Sequence, residues 1–305
     1  MAGKVLLTGS TGFLGKVIAA ELPKQGYEVL TLGKHHHNTF RADLAKGEFE
    51  LDYIGDIDIV VHAAGKAHSS PHTKEEIQAF FDVNFEGTKK LCNSLVAANI
   101  KPKSFVFIST VAVYGTDRGE MIKEEHELAG NTPYARSKIQ AEQWLREWEK
   151  SNGIRLAILR LPLVAGPKPP GNLGAMIKGI GNGRYLSIGK AAAKKSIVWA
   201  GDVAGIIPVA AEKGGVFNLT DGYNPSFSEL EVGIANILDV KKAKKVPYSI
   251  AKLLAFGGDL IGKRAPVNSN KLRKITSTLT FDDSKAREIL DWQPTRVLDK
   301  LLEMI

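Results

Sequence analysis

A tyrosine and a lysine four residues apart, Tyr134 and Lys138 in PYARSK, follow a proline that can open a helix. That spacing puts both side chains on one helix face. Hydride transfer to a carbonyl needs a proton for the developing alkoxide, and a tyrosine hydroxyl can deliver it. Its ordinary pKa near ~10 is too high for the reverse step at neutral pH, so the neighbouring ammonium is expected to lower it. Thr110 ends the apolar run SFVFIST and could hydrogen-bond the same substrate oxygen. A YxxxK pair arises readily by chance, so its meaning rests on what precedes it.

What precedes it is TGSTGFLG, running from the apolar KVLLT into the helical GKVIAAEL. Gly9 permits a tight turn, Gly12 lets backbone approach a pyrophosphate, and Gly15 allows close helix–strand packing. The helix that follows offers free N–H groups and a positive dipole end to phosphates. Thr11, Phe13 and Leu14 of this loop join the expected cofactor set. After the second apolar run an enzyme for NAD usually carries an acid against the ribose hydroxyls. Here the run ends in Gly33-Lys34-His35-His36-His37. Lys34, helped by His35, would attract a 2′-phosphate, so NADP(H) is favoured and NAD(H) stays open. The His run could instead be a metal site or a polar loop, and no metal is assigned.

These residues need rigid supports. KVLLT (4–8), YEVLTL (27–32), DIVVHAA (58–64), SFVFIST (104–110) and RLAILRL (155–161) read as buried strands. Amphipathic stretches at about 13–22, 74–98 and 133–150 alternate with them, which marks βαβ units and a parallel sheet. In the last stretch Ile139, Trp144, Leu145 and Trp148 can share a face. GPKPPGNLG (166–174) and GIGNGR (179–184) read as loops. SIVWAGDVAGIIPVAAEKG reads as strand into helix, and VFNL (216–219) as one further strand. The fold class is therefore α/β, a Rossmann-type doubly wound parallel sheet with a smaller, mostly helical C-terminal substrate lobe. Residues 1–165 and 196–222 form the dinucleotide domain; 166–195 and 223–305 form the lobe.

Composition sets the outer bounds. The 305 residues are 44% hydrophobic and 24% charged, ordinary for a globular protein. The single Cys, Cys92, cannot form an internal disulfide, and the N-terminus has no signal-peptide pattern, so a cytoplasmic protein is expected. The 41 basic residues against 33 acidic leave +8, scattered rather than grouped into a nucleic-acid module. VPYSIAKLLAFGGDLIGK (246–263) is apolar with sparse charges; lobe packing or a subunit contact is favoured over a membrane surface, and a homodimer is left open.

With these motifs in place, the chain resembles the extended short-chain dehydrogenase/reductases, in their NAD(P)-dependent nucleotide-sugar epimerase/dehydratase branch. The resemblance runs through TGSTGFLG, RADL, VVHAAG, NFEGT, FISTVAVYG, PYARSK, LRLPLVAGP and DDSKAREILDWQP, nearly the whole chain. It implies that Asp43 and Leu44 meet the adenine, that Ala63, Ala64, Gly65 and Ser109 line the cofactor, and that Asn84 holds the active-site end of the sheet. Thr110, Tyr134 and Lys138 would be the catalytic trio, with Pro162 and Leu163 beside the nicotinamide. Asn172, with Lys194 or Lys195, falls where relatives bind the sugar nucleotide's diphosphate. Val111, Ala112 and His68 would face substrate, though His68 could equally be an idle loop histidine. Dehydratases carry an Asp-Glu pair where this chain has Val111-Ala112, which argues against water elimination. The leading expectation is reduction of a 4-keto nucleotide-diphosphate sugar by NADPH with Tyr134 as proton donor. C4 epimerisation with bound NAD is the alternative, and a catalytically silent dinucleotide sensor or scaffold is the reading from another class.

Overall fold

The computed structural model describes residues 3–47, 49, 51, 55–67, 71–261 and 268–305. In chain order the strands are β1 (Gly3–Thr8), β2 (Tyr27–Gly33), β3 (Phe40–Arg41), β4 (Ile59–His62), β5 (Ser104–Thr110), β6 (Gly119–Ile122) and β7 (Arg155–Leu161). They continue as β8 (Leu163–Ala165), β9 (Leu186–Ile188), β10 (Ile197–Trp199), β11 (Gly215–Asn218), β12 (Lys244–Val246) and β13 (Leu279–Phe281). Seven make one parallel sheet in the order β11-β7-β5-β4-β1-β2-β3. The strand sequence reverses between β1 and β4, the place where doubly wound sheets open a crevice beyond their carboxyl ends.

Alternation along the strands builds a core on each face. Val5 and Leu7 of β1 and Val106 of β5 point to one side, where α1 (Phe13–Glu21) packs; Leu6, Phe105 and Phe107 point to the other. The second layer continues through α2 (Lys74–Phe81), α3 (Gly87–Ala97) and α4 (Pro133–Asn152). The remaining helices are α5 (Gly171–Gly181), α6 (Ala200–Lys213), α7 (Phe227–Ile237), α8 (Tyr248–Ile261), α9 (Ser269–Thr276) and α10 (Ser284–Leu290). Leu173, Trp199, Ile234 and Leu301 anchor a third core in the lobe.

Several sequence expectations need correction. The stretch 166–174, read as a loop, holds the start of α5 from Gly171, because its glycines alternate with Leu173 and Met176, which bury into the lobe core. Ile139 does not share a contact face with Leu145 and Trp148: it packs with Val113, Tyr114 and Phe281, and they pack beneath the sheet. The amphipathic stretch 74–98 is helical through residue 97, with Asp82–Glu86 winding as a π-turn where α2 passes into α3. Such a turn commonly marks a functional position in a helix. Residues 284–292, placed with the lobe, bury Ala286, Leu290 and Trp292 in the core on the α1 face of the main sheet.

Candidate active site

The β1–α1 turn is built for a phosphate. Gly9 sits at φ 74°, and a Cβ there would press on the Ala63–Ala64 backbone. A Cβ on Gly15 would collide with the Gly9 carbonyl, so no larger residue fits at either position. Gly12 caps α1 without any side-chain cap, which leaves the helix N-terminus open toward an anion. Thr11, Phe13 and Leu14 are partly exposed along the same turn. This cradle of bare backbone and helix N-terminus fits a dinucleotide pyrophosphate.

A directed hydrogen-bond chain ties the turn to its neighbours. The Ala64 N–H donates to Thr8 Oγ1 at 3.2 Å, and Thr8 Oγ1 lies 2.6 Å from His62 Nδ1. On the ring's other side His62 Nε2 is 2.9 Å from Thr88 Oγ1, whose hydroxyl donates to the Asn84 carbonyl at 2.8 Å. Both hydroxyls are thereby committed, which assigns the Nε2–H tautomer to the ring. Burial, with help from the Lys138 charge, pushes His62 down to about 3, so it stays neutral. Asn84, fully buried in the π-turn, clasps Lys66 N and O at 2.7 and 3.1 Å and donates to Ser137 Oγ at 2.9 Å.

Thr110 and Tyr134 lie within reach of one another, and Lys138 stands one turn further along α4. Thr110 ends β5 and its hydroxyl accepts the Ala112 N–H at 3.2 Å. Thr132 caps α4 by accepting the Ala135 N–H at 3.1 Å, and Pro133 follows as the first helical residue. The next residue is Tyr134, half-buried against Phe80, with ring centroids 6.3 Å apart. Lys138 donates to the Ile108 carbonyl at 2.8 Å, lies 4.3 Å from the Phe107 centroid, and faces Gly65. The expected lowering of Tyr134 by Lys138 is not found. Burial raises the phenol, and the opposing influence comes from the Thr110 hydroxyl. Burial also brings Lys138 down to about 8, with Glu142 pulling it back up.

Sequence reasoning missed the group beneath this trio. Glu142, one further turn along α4, pairs with Arg160 of β7 at 2.7 Å, and both are essentially excluded from solvent. Glu142 also accepts the Ser109 hydroxyl. Arg160 goes on to donate to Tyr114 Oη at 3.0 Å and to the Glu124 carbonyl at 2.9 Å. The spacing Tyr134, Lys138, Glu142 was the available signal.

The other expected residues take varied places. Ala63, Ala64 and Gly65 follow β4, and Pro162 follows β7, all at the carboxyl edge; Leu163 begins β8. Lys34 and His35 are exposed after β2, where Asn38 bonds Ser10 Oγ and the His35 carbonyl at 2.8 and 2.9 Å. Asp43 is half-buried and accepts the Ala45 N–H at 3.1 Å. The Leu44 side chain is core, so it presents only backbone to a ligand. Val111 packs on Val113 and Tyr114, and Ala112 is exposed. Asn172 is exposed in the first turn of α5. Lys194 bridges to Ser226 and Lys195 to Leu279. Burial lowers Lys195. His68 lies outside the described residues. Near the two lysines, a lobe cavity of about 530 Å³ is lined by Tyr185, Lys190, Ala193, Phe227, Glu231 and Tyr248. None of the trio lines it. Burial raises both Glu231 and Tyr185.

A parallel sheet reversing at β1–β4 and a bare glycine turn, with Thr110 at a strand end and Tyr134 and Lys138 at the start of α4, mark a dinucleotide-binding α/β fold. The chain belongs to the NAD dependent epimerase/dehydratase family, which matches residues 5–220. It is 30% identical to a UDP-glucose 4-epimerase of Vibrio cholerae over 98% of this chain and 93% of that protein. It is 25% identical to the N-acetyl-alpha-D-glucosaminyl-diphospho-ditrans,octacis-undecaprenol 4-epimerase of Escherichia coli O157:H7, across 99% of this chain and 95% of that one. The fold is shared with the UDP-glucose 4-epimerase of Thermotoga maritima, at TM-score 0.75 and 20% identity, covering 99% and 97% of the two chains. RMD from Pseudomonas aeruginosa, solved with NADPH, gives TM-score 0.75 at 20% identity and the same coverage.

Proposed function

We propose that the protein is a 4-epimerase of nucleotide-diphosphate sugars that works with bound NAD. This reverses the order of the sequence expectation, which put 4-keto reduction first. The observation that carries it is full-length similarity to a UDP-glucose 4-epimerase together with an intact Thr–Tyr–Lys set. Gly9, Thr11, Gly12, Phe13, Leu14 and Gly15 would hold the pyrophosphate, Asp43 the adenine side, and Ala63, Ala64, Gly65, Asn84 and Ser109 the centre. Pro162 and Leu163 would flank the nicotinamide, which when bound supplies a reversible hydride acceptor.

The chain's own residues move the proton. Tyr134 Oη would take the proton of the sugar 4-hydroxyl during oxidation and return it to the 4-keto oxygen on reduction, once the keto-sugar has turned its opposite face to the returning hydride. The Thr110 hydroxyl, the group that opposes the raised phenol, would align the same oxygen, and the Lys138 ammonium would hold the cofactor ribose. Asn172, Lys194 and Lys195 would bind the diphosphate, and Val111 and Ala112 would face the sugar. An exposed Ala112 carries no acid for water elimination. Product analysis on UDP-hexoses without stoichiometric reductant tests this reading.

One observation favours the second reading, reduction of a 4-keto sugar by NADPH: Lys34 stands exposed where an acid would serve NAD. A charge-assisted contact to a 2′-phosphate is worth about 1.5–3 kcal/mol, or roughly tenfold and upward in affinity, before salt erodes it. Lys34→Asp is therefore expected to shift the NADPH-to-NADH affinity ratio by about tenfold or more toward NADH. Paired dissociation constants check this, and an unchanged ratio makes Lys34 a solvated loop lysine.

A further inference from the structure

Helix α8 is turned inside out for a water-facing element. Its small residues face inward: Ala251 and Ala255 are buried against Leu272 of α9, Ile188 and Val246, with Gly258 on the same side. Its large apolar residues face outward. Ile250, Leu253, Leu254 and Phe256 are 50%, 72%, 60% and 66% exposed. At 100° per residue these four span the side opposite Ala251 and Ala255, and the charges Lys252 and Asp259 fall together on one flank. Ile275 of α9 is exposed as well. Monomeric soluble proteins rarely leave so many large side chains together in water.

The surroundings say what covers this face. Lys241, Lys242, Lys244 and Lys245 lie exposed on the segment leading into α8, and Lys252 is exposed on the helix itself. Among the described residues none of these five lysines forms an ion pair, although the Lys245 charge reaches the half-buried Glu231 carboxyl. The nearby acid Asp259 is engaged by Ser269, and Asp117 by Arg273 and Lys274. A second copy docked through the same face would bring two sets of these lysines together. An anionic lipid surface offers what both features require, a shallow apolar layer under negative headgroups.

We infer that α8 and its preceding lysines form a membrane-docking surface that lays the lobe on an anionic bilayer. Among the described residues no helix is long and apolar enough to cross a membrane, so the helix lies in the interface. The inner face of α8 packs on the lobe, as the sequence reading favoured, and the membrane surface that reading ranked second is assigned to the outer face. Tyr248 begins α8 and also lines the lobe cavity, so docking would hold the cavity beside the lipid. The inference is independent of the proposed reaction.

Cosedimentation with vesicles tests it. Partitioning onto equimolar phosphatidylcholine–phosphatidylglycerol is expected to exceed that onto phosphatidylcholine alone by at least about tenfold, and to fall as salt rises. Leu253→Glu with Phe256→Glu should cost at least about tenfold in binding while melting temperature and cofactor affinity stay those of wild type. Lys244→Glu with Lys245→Glu should weaken binding to the anionic vesicles only. The inference fails if wild type ignores the anionic vesicles or the Leu253–Phe256 variant binds as wild type does. It also fails if wild type is a dimer that this variant dissociates with no vesicle capture, which would make the face an interface between copies.

Discussion

Tyr134→Phe lowers turnover by about 10²–10⁴-fold, the range for losing a positioned general acid–base group, and leaves cofactor affinity close to wild type. The substitution removes one oxygen and nothing that holds the helix. Ser137 Oγ donates to the Tyr134 backbone carbonyl at 2.8 Å, and the ring's contact with Phe80 does not need the hydroxyl. A phenol raised by burial is costly to ionise, so the full loss should appear in the step that takes a proton from the sugar. Steady-state kinetics beside a cofactor titration checks this. Near-wild-type turnover would remove Tyr134 from the chemistry.

Glu142→Gln carries the largest expected effect on stability, together with a shift in pH dependence. Arg160 is 1% exposed, and its guanidinium would lose the only carboxylate paired with it among the described residues. Breaking a buried pair from one side costs about 3–5 kcal/mol, because the other charge stays buried without compensation. The second effect reaches Lys138. Its folded value near 8 lies below the ordinary 10.5, so burying the ammonium costs stability below about pH 8, and that cost is relieved between about pH 8 and 10.5. Glu142 is the neighbour that raises Lys138. Removing it lowers Lys138 further, and activity that needs the ammonium fades at a lower pH. Chemical denaturation and a pH–rate profile check both. A profile whose alkaline limb does not move, in a variant as stable as wild type, contradicts this role.

The central strands β1, β4, β5 and β7 were readable because each is an apolar run largely buried, whereas the edge strand β3, only Phe40–Arg41, carries no such run. SFVFIST and RLAILRL match β5 and β7 residue for residue. The short lobe strands were not, since three residues carry no periodicity: β13 exists through its pairing with β6, and β12 through β9. The glycine turn and the placing of Tyr134 and Lys138 one turn apart on α4 were legible because local spacing sets their geometry. Glu142 and Arg160 were not, because a charge on an amphipathic helix or in a strand ordinarily means a solvated position, and only the packing of α4 against β7 encloses both. The apolar character of α8 stood in the sequence, but which face it turns outward depends on α9 and β12.

The most direct test of the account is to incubate the protein with UDP-glucose or UDP-N-acetylglucosamine and NAD alone, and to follow the sugar by proton NMR. A 4-epimerase returns the hydride it removes, so the C4 epimer should accumulate to equilibrium with no net change in nicotinamide absorbance. Tyr134→Phe should slow that accumulation by the factor given above. If no epimer forms from either sugar, and the protein instead consumes NADPH stoichiometrically with a 4-keto nucleotide sugar, the epimerase account is contradicted and the reductase reading takes its place.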